Sequence, residues 1–88
     1  MLSYRNDIMD LMQDPAACMK DMGWLLRDVA FMTDPAGGQG FDDHFHARKT
    51  YARLSMTNIS RKMPRGGPYW TDEQLALYRQ WMEDGFQP

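Results

Sequence analysis

The sequence predicts an all-α fold, a small single domain of about four helices, and three observations carry the prediction. Apolar residues recur at helical spacing in several stretches, and proline- and glycine-rich breaks separate those stretches. No segment alternates apolar and polar residues with β-branched side chains, as a half-buried strand would. With 88 residues, 43% apolar and 25% charged, the chain can build one modest core, so residues 1–88 are read as one domain.

The first element is predicted over 4–13, where Tyr4, Ile8, Leu11 and Met12 fall at i, i+4, i+7 and i+8, with Ser3 as its cap. Asp14-Pro15 then restarts the chain as N-cap and first helical residue of a second element. Met19, Met22, Leu26 and Val29, joined by Leu25 and Met32, continue an apolar face there, and Gly23 is the expected break point. Residues 33–41 (TDPAGGQGF) form a loop by composition. Asp42 is the expected cap of a third pattern with Phe45, Tyr51, Leu54, Ile59 and Met63 as apolar members and a bend within 55–58. Pro64 ends that pattern, because proline cannot extend a helix and disfavours helix in the residue before it.

The last element is written most plainly. Thr71 reads as an N-cap and Gln74, three residues on, closes a capping box; Trp70 and Leu75 stand where a hydrophobic staple belongs. Leu75, Tyr78 and Met82 make an apolar stripe that Leu77 and Trp81 widen, and Gly85 is placed to stop the helix. This stripe is expected to meet Ile8, Leu11 and Met12, packing the terminal helices together.

The order of these pieces resembles small bacterial c-type cytochrome domains. It runs from a short helix to Asp14-Pro15-Ala16-Ala17-Cys18-Met19, a variable middle, Met63-Pro64-Arg65-Gly66-Gly67-Pro68-Tyr69-Trp70, a capped helix and Trp81-Met82-Glu83-Asp84-Gly85. The likeness is specific within 63–86. In that family a Cys-x-x-Cys-His phrase attaches haem and supplies its axial histidine, and a later Met-Pro marks the second ligand. Here Pro15 stands in place of the first cysteine and Met19 in place of the histidine, so one of the three attachment groups remains. The resemblance therefore implies a cytochrome-c-like fold without haem and no cofactor. Nine methionines, three tryptophans, four tyrosines and four phenylalanines would refill the space that a haem leaves, or supply an interface.

Chemical motifs are sparse. There is no Ser/His/Asp spacing, phosphate-cradling glycine loop or paired-carboxylate motif, so no enzyme is expected. His44-x-His46 with Asp42 and Asp43 has metal-donor types, but two such histidines cannot share a helical face, and an exposed helix start is the plainer reading. Met9 with Met12, and Cys18-Met19 with Met22, place soft sulfur at helical spacing that suits Cu(I) and equally suits a core. Met63 is read as a core residue. A single cysteine excludes a disulfide framework, and Cys18 is read as a small buried hydrophobe.

Net charge is −2, but it is unevenly spread: no acid lies between His44 and Thr71, where Arg48, Lys49, Arg53, Arg61, Lys62 and Arg65 do. Arg48, Lys49, Arg53 and Arg65, with Tyr69 and Trp70, are the candidate partner-binding residues. Nucleic acid is disfavoured by the acidic whole and the lack of a recognition motif. No signal segment opens the chain and no apolar run reaches membrane length, so a cytoplasmic protein is expected. The expected function is a non-catalytic accessory module that binds a larger protein, an oxidoreductase being one candidate, with homo-oligomerisation left open. The alternative is a redox or metal-binding module using non-covalent haem, or Cu(I) held by Met and His.

Overall fold

The chain closes on itself. In the computed structural model, which describes residues 1–13, 15, 20–58, 62–64 and 67–88, the N–H groups of Tyr4 and Arg5 donate to the carbonyls of Gln87 and Pro88 at 2.9 and 3.1 Å. The Leu2 N–H donates to Asp84 Oδ2 at 2.9 Å. The first element is helical but not a regular α-helix. Ser3 caps it through the Asn6 N–H, a π-type turn covers Tyr4–Ile8, and a tighter 3-10 turn covers Met9–Met12. A wide turn followed by a tight one leaves Tyr4, Ile8 and Met12 fully buried, the face that the spacing predicts, with Leu11 half-buried.

Lys20–Arg27 is a 3-10 segment in which Leu26 is buried and Leu25 half-buried. The break after it falls at Asp28 rather than Gly23. Asp28 is extended, and its carboxylate accepts the Ala30 and Phe31 N–H groups at 3.0 and 3.4 Å to start the short α-helix Val29–Met32. An acid that can bind its own downstream amides competes with helix continuation and favours a new start. Asp14, Ala16, Ala17, Cys18, Met19, Ile59, Arg61, Arg65 and Gly66 lie outside the described residues, and Pro15 is buried.

Residues 33–41 are a loop, closed by a two-residue turn in which Gly38 and Phe41 exchange both backbone hydrogen bonds at 3.0 Å. Gln39 and Gly40 both take positive φ, 52° and 91°, as a type I′ turn requires. The central helix Phe45–Leu54 starts at His44, not Asp42: His44 is left-handed (φ 44°, ψ 46°) and offers no side-chain cap. The loop takes over that role, since the Pro35 and Ala36 carbonyls accept the His44 and Phe45 N–H groups, both at 3.1 Å. Past Ser55, the Met63 N–H returns to the Arg53 carbonyl at 3.0 Å and anchors the connector to the end of this helix.

The C-terminal helix Asp72–Glu83 has both halves of its capping box: Thr71 Oγ1 accepts the Gln74 N–H at 3.2 Å and Gln74 Oε1 accepts the Thr71 N–H at 2.9 Å. It ends in a Schellman motif. The Phe86 N–H reaches the Trp81 carbonyl at 3.2 Å, the Gly85 N–H reaches the Met82 carbonyl at 3.1 Å, and Gly85 sits at φ 97°. Its most buried side chains are Tyr78 and Trp81, while Leu75 and Met82 are half-buried. Trp81 is the hub: Tyr4, Tyr78 and Phe86 rings stand 4.9, 5.2 and 5.4 Å from it, and its Nε1 donates to the Gln87 carbonyl at 2.8 Å.

The C-terminal helix packs on the first π turn and on the central helix, so the terminal elements are in contact as expected. The radius of gyration, 12.0 Å, matches the value of about 12 Å for a compact chain of this length. The described residues form an all-α fold with no strand beyond the isolated Gly38–Phe41 bridge, and no helix among them is long and apolar enough to cross a membrane.

Candidate functional site

A cleft of about 490 Å³ opens between the 3-10 segment, the short helix and the central helix. The central helix supplies His46, Lys49, Thr50 and Arg53, which fall at i, i+3, i+4 and i+7 and therefore share one face. Leu25, Leu26 and Phe31 line the cleft from the preceding segments, Phe45 from the helix start, Gln39 from the type I′ turn and Met63 from the connector. The bond from Met63 to the Arg53 carbonyl is what brings the connector to this edge.

The polar groups of the cleft are in different states. Lys49 Nζ donates to Gln39 Oε1 at 2.6 Å, and the Thr50 hydroxyl is turned back onto the His46 carbonyl at 2.8 Å. The His46 ring lies 3.8 Å from the centroids of both Phe31 and Phe45. Neither the His46 ring nor the Arg53 guanidinium makes a hydrogen bond or ion pair with another group among the described residues. Among the described residues no aspartate or glutamate lines the cleft. It is an apolar hollow whose polar side combines neutral Gln39 and Thr50 with His46, Lys49 and Arg53, and whose charged groups among the described residues are all basic.

No protein-family model, no curated protein and no solved structure matches the chain.

The candidate partner-binding residues are dispersed. Lys49 and Arg53 share the cleft, whereas Arg48 faces away from it, with Nη2 2.8 Å from Asp43 Oδ1 and its guanidinium carbon 5.2 Å from the centre of the Phe86 ring. Arg48, Arg79, Met82 and Glu83 line a separate, smaller hollow. Tyr69 is half-buried beneath Lys62 Nζ at 5.0 Å. Trp70 is 7% exposed and belongs to the core, as its staple position already suggested. Arg65 lies outside the described residues.

The histidines also part company. His44 stacks on Phe86 with ring centres 3.8 Å apart and planes within 4°, and its Nδ1 meets Asp43 Oδ1 at 2.9 Å. Both histidines are half-buried, so the start of the central helix is less exposed than its composition suggests. His44 and the Arg48 guanidinium hold the Asp43 carboxyl below its ordinary pKa. Among the described residues no three His, Cys, Asp or Glu side chains converge to hold a metal ion. Met12 is buried and Met9 packs against the core, while Cys18, Met19 and the Met22 side chain lie outside the described residues.

The face made by His46, Lys49, Thr50 and Arg53 was readable as a polar stripe of one helix. What it faces was not, since Leu25, Phe31 and Met63 lie far from it along the chain. Met63, assigned to the core from sequence, is half-buried and stands at the boundary between core and cleft.

Proposed function

We propose that this chain is a non-catalytic interaction module that docks onto a larger protein. An oxidoreductase in the cytoplasm is the partner class that the resemblance to haem-less c-type cytochromes brings in. The observation that carries the reading is the cleft mouth, where Lys49 and Arg53 lie along one helical face beside an open apolar hollow. Trp24, in the same 3-10 segment as Leu25 and Leu26, is 62% exposed. Exposed tryptophan and arginine are the residue types from which interface hot spots are built, and a basic rim steers an acidic partner surface. The contact between the terminal elements supports the cytochrome-like part of the reading.

The test is cross-linking in the native cell to identify the partner, followed by association rates of the purified pair across ionic strength. Replacing Lys49 and Arg53 by Glu should slow association and flatten its salt dependence. Unchanged rates would refute docking through this rim.

A second reading, a redox or metal module, has one observation in its favour: His46 and Met63 line the same cleft. The chain does not fit covalent haem attachment, because Pro15 and Met19 occupy the positions of the cysteine and histidine. Protein made with haem supplied should show aromatic absorbance only. A stoichiometric Soret band, lost on His46→Ala, would make this reading the leading one, and a tightly held equivalent of Cu(I) would do the same for copper.

A further inference from the structure

Going beyond partner docking, we propose that the cleft beside the central helix is a binding site for a small amphipathic carboxylate. Its apolar body lies against Leu25, Leu26, Phe31 and Phe45, and its carboxylate is taken by Arg53 with Lys49 beside it. The volume, about 490 Å³, falls within the range of roughly 300–1,000 Å³ typical of small-molecule sites.

The sign of the head group follows from the lining. Among the described residues both charged side chains in the cleft are cationic and no acid lines it, so an ammonium would face like charge while an anion meets complementary charge. Two arginines on the same helix make the contrast. Arg48 is already occupied, donating from Nε and Nη2 to Asp43 at 3.1 and 2.8 Å. Arg53, half-buried in the cleft, has no such partner among the described residues. A guanidinium beside an apolar wall is weakly hydrated and presents a planar fork that matches two carboxylate oxygens. Lys49, held by Gln39, adds a positioned charge one turn earlier.

The same geometry favours a carboxylate over a phosphate. Arg53 lies in the last turn of Phe45–Leu54, toward the negative end of the helix dipole, where a dianion is disfavoured and no helix N-terminal amides are on offer. The Thr50 hydroxyl, committed to the His46 carbonyl, has no free proton for a third oxygen. His46 and Arg53 are seven residues apart, about 10 Å along the helix, so a chain or ring system lying along this face spans from the imidazole to the guanidinium.

The experiment is an amide-resolved NMR titration of the chain alone with octanoate, octanol and octylammonium, which share one tail and differ in head group. Because no partner is present, failure here leaves the docking test untouched. Octanoate should give saturable shifts at Leu26, Lys49, Thr50 and Arg53, and octanol should bind at least about tenfold more weakly. Octylammonium should not saturate. Arg53→Gln should remove the preference for octanoate over octanol, Arg53→Lys should restore part of it, and Arg79→Gln at the other hollow should change nothing. Absence of saturable shifts, equal binding of octanoate and octanol to the natural chain, or a preference that survives Arg53→Gln would overturn the proposal. The comparison of head groups on the natural chain decides even if a variant fails to fold.

Discussion

Tyr4 and Tyr78 are both fully buried and both donate their hydroxyl to a backbone carbonyl, yet losing the two hydroxyls should not cost the same. Tyr78 donates at 2.8 Å to Ala47, whose carbonyl lies inside Phe45–Leu54 and also accepts the Tyr51 N–H in the helical pattern. Tyr4 donates to Leu26, near the end of Lys20–Arg27, where carbonyls lack a partner within their own helix. In each case Tyr→Phe keeps the ring and its packing on Trp81 and removes one oxygen. For Tyr78→Phe the loss is one net hydrogen bond, about 0.5–1.5 kcal/mol, whereas Tyr4→Phe also strands a buried acceptor, about 1–3 kcal/mol. A chain of this size has roughly 4–13 kcal/mol of stability in all, and each kcal/mol lowers Tm by about 4–8 °C. Urea unfolding followed by tryptophan fluorescence, with thermal scans alongside, measures both variants on one scale. Burial pushes both phenols above their ordinary pKa, so both remain donors throughout the usable pH range. A Tyr78→Phe cost equal to or larger than that of Tyr4→Phe would refute the reasoning.

Thr71→Ala removes one half of a complete capping box and should cost about 1 kcal/mol, with faster amide exchange confined to the first turn of the C-terminal helix. Gly85→Ala places a Cβ at φ 97°, 3.2 Å from Gln87 Nε2, and should cost about 1–2 kcal/mol in urea unfolding; a neutral result would mean the Schellman ending is dispensable. Acid should weaken the fold through two carboxyls held below their ordinary pKa: Asp43 by His44 and Arg48, and Asp84 by the Leu2 N–H and Gln80. With folded values below unfolded ones, their contribution is complete above about pH 4 and is lost as pH falls through the folded values. The urea midpoint should therefore drop at the acid end, and Asp43→Asn with Asp84→Asn should flatten that drop.

The parts of the fold legible in the sequence are those set by local chemistry. Thr71, Gln74 and Gly85 act on amides and carbonyls a few residues away, so the C-terminal helix could be bounded at both ends. The spacing of Tyr4, Ile8 and Met12 likewise announced a buried face, whatever the detailed winding of its turns. What stayed hidden depended on partners distant in sequence. The start at His44 rests on carbonyls lent by Pro35 and Ala36, and composition cannot show a loop folding back to cap a helix. Asp28 can cap through its own downstream amides, but the apolar positions Leu26, Val29 and Met32 continue on both sides of it, so periodicity does not place a break there. The basic stretch looked like one surface because charge was counted along the chain. Helical geometry then sends Arg48 toward Phe86 and Lys49 and Arg53 into the cleft. No pattern in residues 20–31 could reveal which face of the central helix their leucines and Phe31 would meet.

The seam between the two ends of the chain bears on how this protein is made. The Leu2 N–H bonds to a carboxylate 82 residues later, and Tyr4 and Arg5 bond to the last two carbonyls. Closing a loop of that length costs about 4 kcal/mol of chain entropy beyond a constant, and nothing offsets it until the closing segment exists. During vectorial synthesis Tyr4 leaves the ribosome well ahead of Trp81, the ring it packs against. The Tyr4 ring can be covered early from the side of Leu26, but the side that meets Trp81 stays open until that residue has emerged. The native seam cannot form before residues 84–88 have been made, so the N-terminal segment waits for the C-terminal one to complete its hydrogen bonds.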